Sequence, residues 1–522
     1  MQRKTLILNN KVETFLYNRK LKKDCDFNMW FAFPGPESFA MSSLGYLWLY
    51  KSIDEIENIN IERIYSDTKT TEIMRERINL IGFSFTFDLD FLAIFHFLEK
   101  NKYEFKAKNR KETDPLIFAG GPVITSNPKP YEDIFDFLII GDGEQTNIEA
   151  VKICSENKDK SKFEILQILS KIEGIYVPTI NKSVIKTTKK LDECIYTPII
   201  SDNAFFKSTF ILEVERGCSN RCGFCLASYM NLPIRFVQYE KIIETIELGL
   251  KYTNKIALLG AQITAHPRFK EICKYIDSKI KSGEKIEMSV SSLRVDSFVP
   301  EIVQTLVNAG QKNLTLAIEA GSERLRKVIN KNLTEYQIFK AIEVAKNCGL
   351  HGLKFYGMLG LPTETMEDIQ AIIDLTKRIK EKYRGFDISF GFSTFVPKAN
   401  TPFQWFGRED EKTLNDKANY LRKELHKLGV QASISSPKWD YWQAVLSRGD
   451  EKLTDFLIEV YKNGGKLGAF KKSAKLLDIN ADCYALTNYN YDKKLPWDFI
   501  EIKPGKEFLI AECKRLSSYT GT

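Results

Sequence analysis

No uninterrupted apolar run in the 522 residues reaches the length of a membrane-spanning helix. The first residues, from Met1-Gln2-Arg3-Lys4 to Lys11, include no apolar stretch of signal-peptide length. Together these absences predict a cytoplasmic protein with reduced thiols, so its ten cysteines are not read as a disulfide framework. A dominant charge is missing too. Lys and Arg total 76 against 68 Asp and Glu, and the net +8 is spread along the chain rather than gathered in a tail. Such a balance permits an anionic partner, RNA or a cofactor phosphate, without demanding one. Histidine is rare, with four in the chain.

That rarity matters beside the most informative stretch, Glu215-Arg216-Gly217-Cys218-Ser219-Asn220-Arg221-Cys222-Gly223-Phe224-Cys225, which comes after the apolar run Phe210–Val214. Cys218, Cys222 and Cys225 stand at C-x3-C-x2-C. Thiolates are soft ligands suited to zinc or iron–sulfur clusters. A structural zinc site needs four protein ligands, and the next Cys or His residues are only His266 and Cys273. Three thiolates on one tight loop fit a cubane with three irons held and the fourth open. A zinc knuckle or three packed core thiols are the plainer readings, but the flanking Gly217, Gly223 and Arg216 are hard to obtain from packing alone.

The spacing, the aromatic Phe224 and the preceding strand resemble the signature of the radical S-adenosylmethionine (SAM) superfamily. The resemblance implies a [4Fe–4S] cluster on Cys218, Cys222 and Cys225, with SAM chelating the open iron. Reductive cleavage of SAM would then give methionine and a 5′-deoxyadenosyl radical that abstracts hydrogen from an unreactive C–H bond. An electron donor such as flavodoxin or ferredoxin is implied.

Strand and helix patterns alternate along most of the chain, which predicts an α/β protein. Residues 1–24 read as a helical or irregular lead-in. Residues 25–154 carry five apolar strands, Asn28–Phe33, Ile61–Tyr65, Leu80–Phe85, Leu116–Ala119 and Phe137–Ile140, expected to form a doubly wound, Rossmann-like parallel sheet. Its loops place Gly35, Gly120, Gly121, Gly141 and Gly143 at carboxyl ends of strands, where such sheets bind ligands. Residues 155–207 form a connector, with Lys186–Lys190 expected in a solvated loop. Residues 208–409 hold six further strand–helix units, matching the partial (β/α)6 TIM barrel of the superfamily, and 410–522 read as a small, mainly helical C-terminal domain.

The order Ala-Gly-Gly-Pro, then Ile-Gly-Asp-Gly-Glu, then the cysteine motif resembles the cobalamin-binding-domain branch of these enzymes, in an uncharacterised subfamily. Cobalamin is thus a candidate second cofactor, although the Asp-x-His-x-x-Gly element that supplies its histidine is absent. In the barrel, the resemblance assigns backbone contacts with SAM to Gly260 and Ala261, polar contacts to Ser291, Arg294 and Glu319, and adenine packing to Phe224. Relatives often carry Gly-Gly-Glu where this chain has Gly260-Ala261-Gln262, which leaves the role of Gln262 open. Arg294 and Glu319 could instead serve local salt bridges. Lys398 and Gln404 either face the substrate or belong to a rigid turn closing the barrel. No catalytic acid or base is identified. A small-molecule, peptide or RNA substrate fits equally. Methyl transfer is natural with cobalamin. Methylthio transfer to tRNA or a ribosomal protein would need a second cluster, for which Cys25, Cys154 and Cys194 are poorly spaced. A non-catalytic iron–sulfur redox or regulatory protein is the alternative of another class.

Overall fold

The structure is a computed structural model and describes residues 5–8, 11–19, 22 and 25–520. It is mixed α/β with parallel sheets. The first sheet is ordered Ile59–Tyr65, Phe27–Phe33, Leu80–Ser84, Leu116–Gly120, Phe137–Ile139, Ile175–Tyr176. The first five strands are parallel and the last is antiparallel. Phe27–Phe33 is buried at every residue, as a strand covered on both faces must be.

One face is packed by Tyr46, Leu47 and Tyr50 of the helix Leu44–Asp54 and by Val151 and Leu169 of two later helices. The other face takes Phe91 and Phe95 of Phe91–Lys100 together with side chains from the far end of the chain. Trp442, Phe456 and Phe470 come from Pro437–Ser447, Leu453–Lys462 and Leu467–Leu476. Trp442 stacks on Phe456, and Phe470 meets Phe91 edge-on at 6.1 Å. Polar stitches cross the same junction: Asn127 Nδ2 donates to Gly449 O at 2.8 Å, and Lys398 pairs with Asp88 at 2.6 Å. The C-terminal segment therefore supplies a layer that the first sheet lacks locally.

In the second block, Phe210–Glu213, Lys255–Leu259 and Glu287–Val290 form one parallel sheet. Asn313–Glu319, Gly352–Leu359, Asp387–Thr394 and Gln431–Ile434 form another, and a Leu293–Leu316 bridge joins the two. One hydrophobic core runs beneath both.

Three local expectations are corrected. The described part of the lead-in is neither helical nor irregular: Thr5–Leu8 and Lys11–Phe15 pair as antiparallel strands, and the second also pairs with Ile199–Ser201. Its alternation is disguised because Glu13 is buried and neutralised by Arg63 at 2.7 Å. Gln431–Ile434 adds a seventh parallel strand inside the stretch expected to be helical. It is four residues long and only partly covered, so its pattern is weak. The run Lys186–Lys190 is not wholly solvated. Val184–Ile185 pairs with Ile500–Glu501, Thr187 bridges Gly141, and Lys186 is buried. No helix among the described residues is long and apolar enough to cross a membrane.

Candidate functional site

The cysteine loop leaves the strand Phe210–Glu213 through Glu215–Arg216, which pairs with Arg235–Phe236. Gly217 sits at φ +97, where a Cβ would lie 2.6 Å from Asn231 O, so only glycine makes this turn. Cys225 N donates to Cys222 O at 2.9 Å, closing the second half of the loop. Distant segments clamp it. Asn330 Nδ2 donates to Asn220 O and Arg221 O at 2.7 and 3.0 Å, Gly223 N donates to Ile329 O, and Phe403 N donates to Gly223 O.

All three thiols are free; Cys218 and Cys222 are buried and Cys225 is half-buried. Burial pushes the Cys222 thiol up to about 12 against the pull of Lys331. Burial also raises Cys225, with Ser228 opposing. Thiols held neutral in this way become ligands when a metal's charge displaces their protons. Among the described residues no group of three or more His, Cys, Asp or Glu could hold a single metal ion. A cubane asks for a different layout, because each thiolate takes its own iron and the sulfurs stand farther apart. The donor set of three free thiols on one clamped loop fits that group.

The neighbouring strands end around the loop. Glu215, 1% exposed, accepts the backbone N–H of Gln262 on Oε1, while its buried Oε2 has no partner. Burial lifts its carboxyl to about 7 despite that bond. Gly260 comes directly after Lys255–Leu259, and a Cβ there would fall 2.4 Å from Glu215 Cγ. Gln262 faces the loop, its Oε1 bonded by Asn220 Nδ2 and 3.5 Å from Cys218 Sγ. Ala261 is exposed at the same turn. Ser291 donates to Gly260 O at 3.1 Å. Arg294 pairs through Nε with Asp296 at 2.9 Å and through Nη2 with Lys331 O at 2.8 Å, yet its buried Nη1 is unpaired. Glu319 ends its strand at φ +65, a strained position for a non-glycine residue, and pairs with Lys331 at 3.1 Å. Burial works against the Lys331 charge, but Glu319 and Cys222 outweigh it and its pKa rises. Phe224 packs on an apolar cluster of Phe395, Phe403 and Leu516.

The local salt bridges weighed for Arg294 and Glu319 thus exist, and they still leave one buried atom, Arg294 Nη1, unpaired among the described residues. Glu215 and Lys331 were missed from sequence. A signal for Lys331 was present: Asn330 and Asn332 flank it, and both adopt positive φ. Of the edge glycines, Gly121, Gly141 and Gly143 line a cavity of about 320 Å³ between the first sheet and the cysteine loop. Gly120 ends its strand without lining that cavity, and Gly35 lies elsewhere, turning back on Phe33 O. At Gly141 the room freed by the missing side chain is taken by Thr187 O at 2.4 Å, and at Gly121 by Phe85 O at 2.6 Å. Across the cavity, Arg216 pairs with Glu213 at 2.7 Å, Glu144 at 2.6 Å and Asp142 at 3.1 Å, and Arg235 also reaches Asp142. Lys398 and Gln404 face away from the cysteine loop, into the junction with the C-terminal helices and a separate cavity.

Comparison with known proteins bears on this arrangement. Residues 212–376 match the family model described as the radical SAM superfamily, and residues 45–178 match that of radical SAM proteins, N-terminal. An uncharacterised protein of Methanocaldococcus jannaschii is 34% identical over 402 residues, covering 74% of this chain and 84% of that protein. An uncharacterised methyltransferase of Pyrococcus horikoshii is 27% identical over 295 residues, 54% of this chain and 62% of the relative's length. The cobalamin-dependent SAM radical enzyme OxsB, solved with aqua-cobalamin and SAM bound, shares the fold at a TM-score of 0.53 and 13% identity, covering 97% of this chain and 85% of that one. With three free thiols at the spacing of the motif and a relative matched over most of its length, the chain belongs to the radical SAM superfamily.

Proposed function

We propose that Cys218, Cys222 and Cys225 hold a [4Fe–4S] cluster at which this enzyme cleaves SAM and transfers a methyl group to an unreactive position of its substrate. Membership of the superfamily implies the cluster, SAM and a supply of electrons. The observation that carries the residue assignment is the pair of unpartnered buried atoms beside the loop, Glu215 Oε2 and Arg294 Nη1. A buried polar atom left unpaired is costly, and SAM carries an ammonium and a carboxylate of matching charge.

When bound and reduced, the cluster supplies the electron that splits the C5′–S bond of SAM. The chain's own residues do the rest. Glu215 accepts from the SAM ammonium, and Arg294 Nη1 donates to its carboxylate. Gly260 and Ala261 keep the turn open to the amino-acid end. Ser291 and the Glu319–Lys331 pair reach the ribose. Phe224, backed by its apolar cluster, covers the adenine and excludes water. Glu215, Gly260, Ser291 and Glu319 stand at or just past the carboxyl ends of the second block's strands. We read that block as a partial TIM barrel over residues 208–409, with residues 25–154 as a Rossmann-like domain, 155–207 as a connector and 410–522 as a C-terminal domain.

Methyl transfer is supported by the name of the Pyrococcus relative. Cobalamin is supported by the fold shared with OxsB. The glycine-lined edge as it stands encloses about 320 Å³, near the lower end of the ~300–1,000 Å³ taken by drug-sized ligands. A whole corrinoid is larger than this space. The methylthiotransferase alternative needs a second trio of thiolates. Cys154 and Cys194 are instead buried in different hydrophobic cores, and burial pushes both thiols up to about 12. Flavodoxin or ferredoxin would serve as the electron donor.

Anaerobic reconstitution tests the reading. The wild type should bind about four irons per chain and release 5′-deoxyadenosine from SAM on reduction, whereas Cys222→Ala should do neither. Full iron loading with SAM cleavage in that variant would sink the assignment. A visible spectrum of the anaerobically purified protein reports any corrinoid, and about eight irons per chain would revive the two-cluster alternative.

A further inference from the structure

The segment that crosses from the last long strand to the C-terminal helices, Ala399–Trp405, borders a cavity of about 760 Å³ on the side facing Trp497 and the helix Lys506–Ser517. Two amide side chains line it. Gln404 is 1% exposed and Asn400 is 8% exposed. Gln404 Oε1 accepts from Asn400 N at 2.8 Å and from Trp497 Nε1 at 2.7 Å. Both partners are N–H donors, so the orientation of the amide is fixed and Nε2 must occupy the other end. Among the described residues that Nε2 makes no hydrogen bond, and Gln404 lines the cavity. Asn400 is fixed in the same way: Nδ2 donates to Ser126 O at 2.9 Å, and among the described residues Oδ1 takes no bond at this cavity-lining residue. Asn400 also holds φ +61, an uncommon conformation that this packing maintains.

A donor with two N–H groups and a carbonyl acceptor thus belong to two buried residues that line one cavity together with Trp497. The charged lining residues balance, with Lys186, Lys503 and Lys506 against Glu173, Asp498 and Glu501, so the cavity selects no net charge. A planar ring presenting an acceptor next to an N–H satisfies both amides. The edges of nucleobases have this pattern, and the volume lies within the ~300–1,000 Å³ range of small-ligand sites.

We propose that this cavity is a nucleobase-binding site, in which Gln404 Nε2 donates to a ring acceptor and Asn400 Oδ1 accepts from the adjacent ring or exocyclic N–H. The site is separate from the cysteine loop but joined to it. Phe403, the neighbour of Gln404, bonds Gly223 O at 3.0 Å, and a Cβ on Gly223 would meet its ring at 2.6 Å. A base seated on Gln404 therefore lies one residue from the clamp on the loop.

The test is equilibrium dialysis of the reconstituted full-length protein against guanosine, uridine and cytidine. Adenosine is omitted because it would also report on the SAM site. At least one nucleoside should bind saturably at one per chain. Gln404→Glu keeps the oxygen that serves Trp497 and Asn400 but replaces the free donor with an acceptor, and it should weaken binding at least tenfold. Asn400→Asp should change the preferred base. Thermal melts and the cluster absorbance of both variants establish that they fold. Saturable binding lost in folded Gln404→Glu supports the site. Absence of binding by all three nucleosides, or binding unchanged in that variant, overturns it. So does displacement of a bound nucleoside by aquocobalamin, because the amides would then serve the carboxamide arms of a corrinoid.

Discussion

Replacing Glu215 by Gln separates the proposed role of this side chain from its place in the fold. In the wild type Oε1 accepts the Gln262 N–H, and the buried Oε2 is free. A glutamine keeps the first bond, because the Gln262 donor selects the amide oxygen. It places an NH2 group where the free oxygen was, so an acceptor for the SAM ammonium becomes a donor and the charge is lost. A hydrogen bond between charged partners contributes about 1.5–3 kcal/mol, and every 1.4 kcal/mol is a factor of about ten. SAM affinity should therefore fall by about 10- to 100-fold. Stability should not fall with it, since the variant removes a carboxylate whose burial already raises its pKa to about 7. The assay is equilibrium dialysis of labelled SAM against anaerobically reconstituted protein, with iron content and thermal midpoint measured on the same samples. An unchanged SAM affinity at full iron loading would refute the assignment. A parallel loss of iron and thermal midpoint would reduce Glu215 to a structural role.

Gly223→Ala should lower the thermal midpoint and iron loading together, because the new methyl would meet Phe403 Cε1 at 2.6 Å and Leu516 Cδ1 at 2.9 Å; overpacking of this kind costs about 1–3 kcal/mol. Arg216→Met strips the cation from Glu213, Glu144 and Asp142, and breaking buried pairs this way costs about 3–5 kcal/mol, readable by urea denaturation; a loss below about 1 kcal/mol would mean the acids find water instead. Asp90 gives a pH signature, its carboxyl raised to about 7 by burial and then by Asp88. In the unfolded chain it titrates near ~3.9, so between these values the folded state holds the extra proton and stability falls as pH rises, by up to ~1.4 kcal/mol per unit. Asp90→Asn should flatten that slope, raising the melting temperature at pH 8 and leaving it nearly unchanged at pH 4; parallel melting curves across the range would contradict this.

The range of the interactions decides how much of this was legible in the chain. The eleven strands placed by apolar runs are present, because each is a local pattern of burial, as in the fully buried Phe27–Phe33. The cysteine motif was legible because its spacing is local, and the strand-end positions of Arg294 and Glu319 are local too. What sequence missed depends on long-range pairing. Glu13 reads as polar until Arg63 neutralises it. Lys186 reads as solvated until Glu501 and Thr187 close the backbone over it. Glu215 reads as one more acid, and only the geometry shows that one of its oxygens is left over. The edge glycines illustrate the converse. They were expected to let a ligand approach the backbone closely, yet at Gly141 and Gly121 the space is filled by the protein's own backbone.

The same contacts bear on how the cysteine loop comes to exist at all. Three thiols within eight residues are easily brought together, but the loop takes positive φ at Gly217 and Arg221 and buries two of its sulfurs, and nothing local compensates. The compensation comes from Asn330, from Phe403 and from Leu516 of the last long helix, each more than a hundred residues away in sequence. Arg216 adds a tie to Glu144, in the first turn of the helix Gly143–Glu156 beside the first sheet. Because those ties close long loops, their entropic cost is met only when both blocks and the C-terminal layer are in place. The geometry that accepts an oxygen-sensitive cluster is therefore the last to be completed. Truncation before the helix Lys506–Ser517 should leave most of the secondary structure visible by circular dichroism while abolishing stable iron binding, whereas a truncated chain that loaded and kept its iron would place the determinants of the loop back within the loop itself.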